Sequence, residues 1–113
     1  MQSLGSHHPP FQVVVADAGP GRIRLRVIGD VDLATADTLA DALDRAVTGT
    51  TGPVELDLSG VGFLDARGVV VLLRAGTVAG TTGGMLRLLS PRPSVRRVLE
   101  LTRVAAVCEV RPE

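Results

Sequence analysis

No lysine, tyrosine or tryptophan occurs in the 113 residues, and there are only two histidines and a single cysteine. Each gap removes a class of chemistry. The histidines are neighbours, His7 and His8, with no further ligand or nucleophile close by in sequence. No Ser-His-Asp set arises, and no metal-ligand spacing. With Cys108 alone, no intrachain disulfide forms. Lying in the apolar stretch Val107–Val110, it reads as a small core residue. The aromatic share is 2%, Phe11 and Phe63 only, which leaves no stacking platform for single-stranded nucleic acid. Formal net charge is zero, so no overall field draws the protein to nucleic acid or an anionic membrane. Long apolar runs are missing, and the first residues carry no signal-peptide pattern. The expectation is a cytoplasmic protein without membrane insertion.

What remains is ample for one core. A hydrophobic share of 45% rules out disorder across the chain, and the length suits one domain. The core must come from Val, Leu, Ile and Ala. All twelve basic residues are arginine, the usage of a GC-rich bacterial genome. Charge is unevenly placed: Asp30 to Asp65 holds eight acidic residues and one Arg, and Arg67 to Arg103 holds seven Arg and one Glu. The two halves are expected to fold together and partly pair these charges; the alternative is a charged docking face.

Residues 1–10 read as a flexible tail and 11–113 as the domain. Phe11–Ala16 is Val-rich and reads as a strand. Asp17-Ala18-Gly19-Pro20-Gly21 is turn chemistry. Arg22–Val27 alternates, with Arg22, Arg24 and Arg26 on one face and Ile23, Leu25 and Val27 on the other: a half-buried strand completing a hairpin. After Gly29-Asp30-Val31-Asp32, the residues Ala36, Leu39, Ala40, Leu43, Ala46 and Val47 fall at helical spacing. Asp32 or Thr35 suits the N-cap, Asp41 and Arg45 form an i,i+4 pair, and Gly49 stops the helix. Val54–Leu58 and Met85–Leu89 read as strands, with a turn at Gly83-Gly84. Pro93 suits a first helical position, with Val95, Val98, Leu99 and Thr102 on one face. Val107–Val110 reads as a last short strand. Ala66–Val78 stays open, because the continuous run Val69–Leu73 fits a buried strand as well as a helix. No acid–base or phosphate-binding motif emerges; Gly19-Pro20-Gly21 lacks the Lys and Ser/Thr of a phosphate loop. The carboxylates Asp30 and Asp32 alone do not make a metal or acid–base site.

Three segments in order resemble the STAS domain of bacterial anti-sigma factor antagonists. They are Gly29-Asp30-Val31-Asp32-Leu33-Ala34-Thr35-Ala36; then Val54-Glu55-Leu56-Asp57-Leu58-Ser59-Gly60-Val61 with Phe63-Leu64-Asp65-Ala66-Arg67-Gly68; and Gly83-Gly84-Met85-Leu86-Arg87-Leu88 with Val95-Arg96-Arg97-Val98-Leu99-Glu100-Leu101 behind it. The resemblance covers roughly Phe11 to Val110. It implies an α/β fold: a mixed β-sheet with an N-terminal hairpin, three to four helices packed on it, and a helix over Ala66–Val78.

In the family the switch loop usually reads Asp-Ser-Ser-Gly or Asp-Ser-Thr-Gly. The residue before the Gly is phosphorylated by a kinase that is also the anti-sigma factor, and the unphosphorylated form binds it. Here Ala66 and Arg67 stand at the two Ser/Thr positions, and neither has a hydroxyl. The resemblance therefore implies a non-enzymatic binding module without cofactor or metal, its usual switch replaced. It would sequester an anti-sigma factor of ATPase/kinase fold and so regulate sigma-dependent transcription. Asp30, Asp32, Asp65, Ala66, Arg67 and Gly68 are the expected partner-binding residues, with Asp65 able to pair with Arg67. The alternatives are an accessory subunit docking on the ATPase subunit of a membrane transporter, and a nucleotide-binding or hydrolysing enzyme. No direct nucleic-acid contact is expected, since Arg92, Arg96, Arg97 and Arg103 read as a solvated face. The expected state is a monomer or weak homodimer.

Overall fold

The computed structural model describes residues 10–112. All of the expected tail before Pro10, with His7 and His8, lies outside the described residues. The order is β1 (Gln12–Gly19), β2 (Arg22–Ile28), α1 (Ala36–Thr48), β3 (Pro53–Gly60), α2 (Ala66–Thr81), β4 (Met85–Leu89), α3 (Pro93–Leu101), α4 (Val104–Val107) and β5 (Glu109–Arg111). The strands form one five-stranded sheet in sequence order, antiparallel between β1 and β2 and parallel thereafter. Each parallel crossover steps to the next neighbour in the same direction. Crossovers of one hand therefore stack their helices on one face.

That single-sided packing explains the alternation. Leu25 and Val27, then Val54, Leu56 and Leu58, then Leu86 and Leu88 point under the helices and are buried. They meet Leu39, Leu43 and Val47 of α1, Leu72 of α2 and Leu99 of α3 in one apolar core. Parallel sheets are usually covered on both faces; the other face here carries charge. The register aligns Asp17, Arg24, Glu55, Arg87 and Glu109 across the strands. Arg24 pairs with Glu55 at 2.9 Å, and Arg87 with Glu109 at 2.9 Å and Glu55 at 3.7 Å. One residue-pair along, Arg26 meets Asp57 at 3.2 Å. The arginines hold the Glu109 carboxyl below its usual range, chiefly by hydrogen bonds from Arg111 and Arg87.

Several expectations are corrected. The hairpin turn is tighter than Asp17–Gly21, because β1 runs on to Gly19 past a bulge at Val15/Asp17 and only Pro20 and Gly21 turn. Gly21 takes the left-handed position, φ +72°. Val107 ends the short helix α4 and the last strand begins at Glu109, so Val107–Val110 is not one strand. Gly49 ends α1 as expected, but in right-handed conformation, φ −86°. Asp41 and Arg45 make no ion pair, since Arg45 lies along the groove beside the β1–β2 turn. The acidic and arginine-rich halves exchange one ion pair among the described residues, Glu55 with Arg87; most of the acidic block stays unpaired. Cys108 is buried as expected, its thiol pushed up to about 11 by burial. Gly76 lets α2 approach it, for a Cβ there would lie 2.6 Å from Sγ.

Candidate functional site

The loops leaving β2, β3 and β4 meet at the carboxyl end of the parallel strands, where α/β sheets place their binding surfaces. The first two are stitched together beyond the sheet. Gly29 N–H donates to the Gly60 carbonyl at 3.0 Å, Val31 N–H to Phe63 at 2.9 Å, and Asp65 N–H back to Val31 at 3.0 Å. Val31 and Leu64 form a one-residue parallel bridge and are both buried. This bridge brings Asp30 and Asp32 alongside Asp65.

Asp32 organises the first loop. Its Oδ1 accepts from Ala34 N–H at 2.9 Å and Thr35 N–H at 3.2 Å. Thr35 Oγ1 accepts from Asp32 N–H at 2.9 Å and donates to the Asp30 carbonyl at 2.8 Å. Asp32 and Thr35 thus bond reciprocally in the manner of a capping box, but within the turn before α1. Thr35 is the N-cap residue, and neither expected side chain caps an amide of the helix itself. Asp65 caps α2 directly, its Oδ1 accepting from Arg67 N–H at 2.9 Å and Gly68 N–H at 3.2 Å. The carboxylate is spent on backbone amides, and it makes no ion pair with the Arg67 guanidinium, contrary to expectation.

Ala66 and Arg67 stand exposed on the first turn of α2. Gly68 faces inward; a Cβ there would fall 2.3 Å from Leu64 Cδ1 and 2.7 Å from Val31 Cγ1. It is a packing position under the bridge rather than a contact surface. Each of the two bridged loops also exposes one large apolar side chain, Leu33 at 69% and Phe63 at 54%.

Asp30 and Asp32 also border an open concavity of about 540 Å³ shared with Phe11, Gly62 and Arg92, from which Ala66, Arg67 and Gly68 are absent. Arg92 is exposed, in keeping with a solvated arginine face. Its Nε also donates to the Ser59 carbonyl at 2.9 Å, while Arg96 pairs with Glu100 at 3.3 Å. Ser90, at φ 55°, turns the chain out of β4 toward Arg92. Beneath this rim, burial pushes the Asp57 carboxyl up. The Ser59 N–H and hydroxyl and the Arg26 guanidinium more than offset that, and it titrates below its ordinary range. Arg92, Gly62, Phe63, Leu33 and Thr35 complete the site beyond the six expected residues. Only the Pro-Arg-Pro setting of Arg92 hinted that its backbone is held.

The family model described as the Mlab STAS domain matches residues 14–110. An anti-sigma factor antagonist from Mycobacterium paratuberculosis is similar at 26% identity and a TM-score of 0.81, over 94% of this chain and 91% of that one. SpoIIAA, an anti-sigma factor antagonist of Bacillus solved unphosphorylated and phosphorylated, shares the fold at 19% identity. Its unphosphorylated form gives a TM-score of 0.67 over 88% of this chain and 86% of that one. The murine anion transporter Slc26a9 holds the same fold at 20% identity and a TM-score of 0.70, over 84% of this chain and 17% of that one. No curated protein matches in sequence.

Proposed function

This chain belongs to the STAS domain family, and from that premise we propose that it is a cytoplasmic anti-sigma factor antagonist that binds its partner constitutively. The observation that carries this reading is the first turn of α2. Asp65 satisfies the backbone amides from within, and Ala66 and Arg67 stand outward where the family's Ser or Thr would be. A surface ordered before binding loses little freedom on docking. Exposed Phe63 and Leu33 supply apolar area, and Arg67 supplies a charged donor at the centre. Asp30 and Asp32 border the same end, and Gly68 holds the two loops together. Phosphoryl transfer needs a hydroxyl, and these positions have none. The protein thus acts through its abundance, sequestering an anti-sigma factor of ATPase/kinase fold and freeing a sigma factor. Its role is binding rather than catalysis.

Titration calorimetry against each ATPase-fold anti-sigma factor of the same genome, with magnesium ATP present, tests this reading. The expected result is saturable binding to one of them with no change in the intact mass of this protein. Failure to bind any of them overturns it.

A transporter reading has its own support, in the Mlab description of the matching family model and the STAS-like portion of Slc26a9. In that reading the same loops dock on the ATPase subunit of a membrane transporter. Co-purification with such a subunit, and not with an anti-sigma factor, is its expected outcome.

A further inference from the structure

Away from the loops, α1 and α2 lie side by side over the sheet and leave a shallow apolar groove of about 120 Å³ between them. Its floor is aliphatic, from Ala40, Leu43 and Val47 on one side and Val71 and Ala75 on the other, and Val70 stands at its rim 51% exposed. The ridges differ in sign. On α1, Asp37, Asp41 and Asp44 are exposed; on α2, Arg67 and Arg74 are exposed, and that helix has no acidic residue. None of these five charges takes part in an ion pair among the described residues, although the sheet face is densely paired. Asp44 and Arg74 line opposite sides of the one groove without closing it.

Spacing and symmetry identify an occupant. Asp37 and Asp44 are one heptad apart on α1, and Arg67 and Arg74 are one heptad apart on α2. Both helices follow parallel strands and run in the same direction. A twofold axis laid along the groove brings α1 of one molecule over α2 of another at the same height. It carries the acidic ridge onto the basic ridge, and the exposed valine edge onto the aliphatic floor. An axis across the groove would set acid against acid. This face is therefore self-complementary in one orientation, the condition for an isologous dimer.

We infer that this groove is the interface between two copies of the chain. They form a homodimer in which Asp44 pairs with Arg74 of the second copy, Asp37 with Arg67, and Val70 enters the facing groove. Because each contact occurs twice, the ridges neutralise one another as e and g positions do in coiled coils. The inference does not depend on the identity of the partner at the loops. It does give Arg67 two competing uses.

Sedimentation equilibrium of the full chain from micromolar to millimolar concentration is the test, with circular dichroism confirming each variant's fold. The wild type should show a monomer–dimer equilibrium that weakens as salt rises. Val70→Arg, at an exposed position, should lower the association constant at least about tenfold. Asp44→Arg alone sets Arg against Arg, and Arg74→Asp alone sets Asp against Asp, so each should be monomeric. Mixed in equal amounts, the two single variants should form a heterodimer, because both cross-pairs are then opposite in sign. A wild type that stays monomeric throughout, a dimer unaffected by Val70→Arg, or a mixture that fails to associate would each overturn the inference.

Discussion

Asp32 and Thr35 satisfy each other's backbone: the Asp32 carboxylate accepts from Thr35 N–H at 3.2 Å, and the Thr35 hydroxyl accepts from Asp32 N–H at 2.9 Å. The loop is thereby a folded unit before α1 begins. Asp32→Ala removes the carboxylate and leaves the Ala34 and Thr35 amides without their side-chain acceptor. Chemical denaturation should report a loss of about 1 kcal/mol. Asp32→Asn keeps an acceptor oxygen and should recover most of it. If both variants lose equally, the charge rather than the cap is what stabilises the loop.

Arg67→Ala leaves the cap of α2 intact, since Asp65 bonds the backbone N–H of residue 67 and not its guanidinium. Stability should change by less than about 0.5 kcal/mol. Affinity for the anti-sigma factor should fall by about 2 kcal/mol, near thirtyfold. Phe63→Ala, at a position 54% exposed in the loop that leads into α2, should weaken binding in the same direction. Unchanged affinity in both would move the interface off this end of the sheet.

With the cognate kinase and ATP, intact-mass measurement should find the wild-type chain unmodified. The double substitution Ala66→Ser, Arg67→Ser places hydroxyls on the exposed first turn of α2 and should gain one phosphate. A phosphate there should then release the partner, through added negative charge and bulk at the interface. Modification of the wild type at Ser59, Ser90 or Ser94 would show that the switch has moved rather than disappeared.

Acid should destabilise the fold through the sheet face. Asp57 and Glu109 have carboxyls held below their ordinary ranges in the folded state. In the unfolded chain they bind protons more readily, so protonation favours unfolding. Their contribution is fully present above the ordinary carboxylate range and is lost as pH falls through their depressed folded values, from about pH 4 downward. Melting curves from pH 6 to pH 3 should show the fall. Asp57→Asn should flatten it and lower the plateau. A slope unchanged by that substitution would assign the acid response to other carboxylates.

Much of this architecture was legible because one face of the sheet is bare. Arg22–Val27 alternates cleanly, since Leu25 and Val27 go under the helices while the arginines stay in water. The cap of α2 was legible for a similar reason: Asp65, placed just before the helix, has idle amides within reach. α2 was not legible from its period. It buries Gly68, Val69, Leu72, Gly76 and Ala79 yet leaves Val70 and Val78 exposed, so apolar residues ring the helix and no stripe stands out. The bond that Arg92 makes was not legible, because its acceptor, the Ser59 carbonyl, lies 33 residues away and belongs to another loop. The short helix α4 was hidden by valines, which favour strands where packing does not decide.

The charged sheet face also bears on which sheets the chain avoids. Sign is assigned strand by strand: β2 presents arginines, β3 presents Glu55 and Asp57, β4 presents Arg87, and β5 leads with Glu109. Sliding β2 by two residues along β3 still sets Arg against acid, so the charges do not fix register; the buried leucines do that. They discriminate between neighbours. An arrangement that put β2 beside β4, skipping the central strand, would lay arginine against arginine across the pair, and like charges opposite one another destabilise a sheet. Three parallel crossovers of similar length leave a folding chain free to try such permutations. In water, where the wrong neighbours would first meet, the bare face makes them repel.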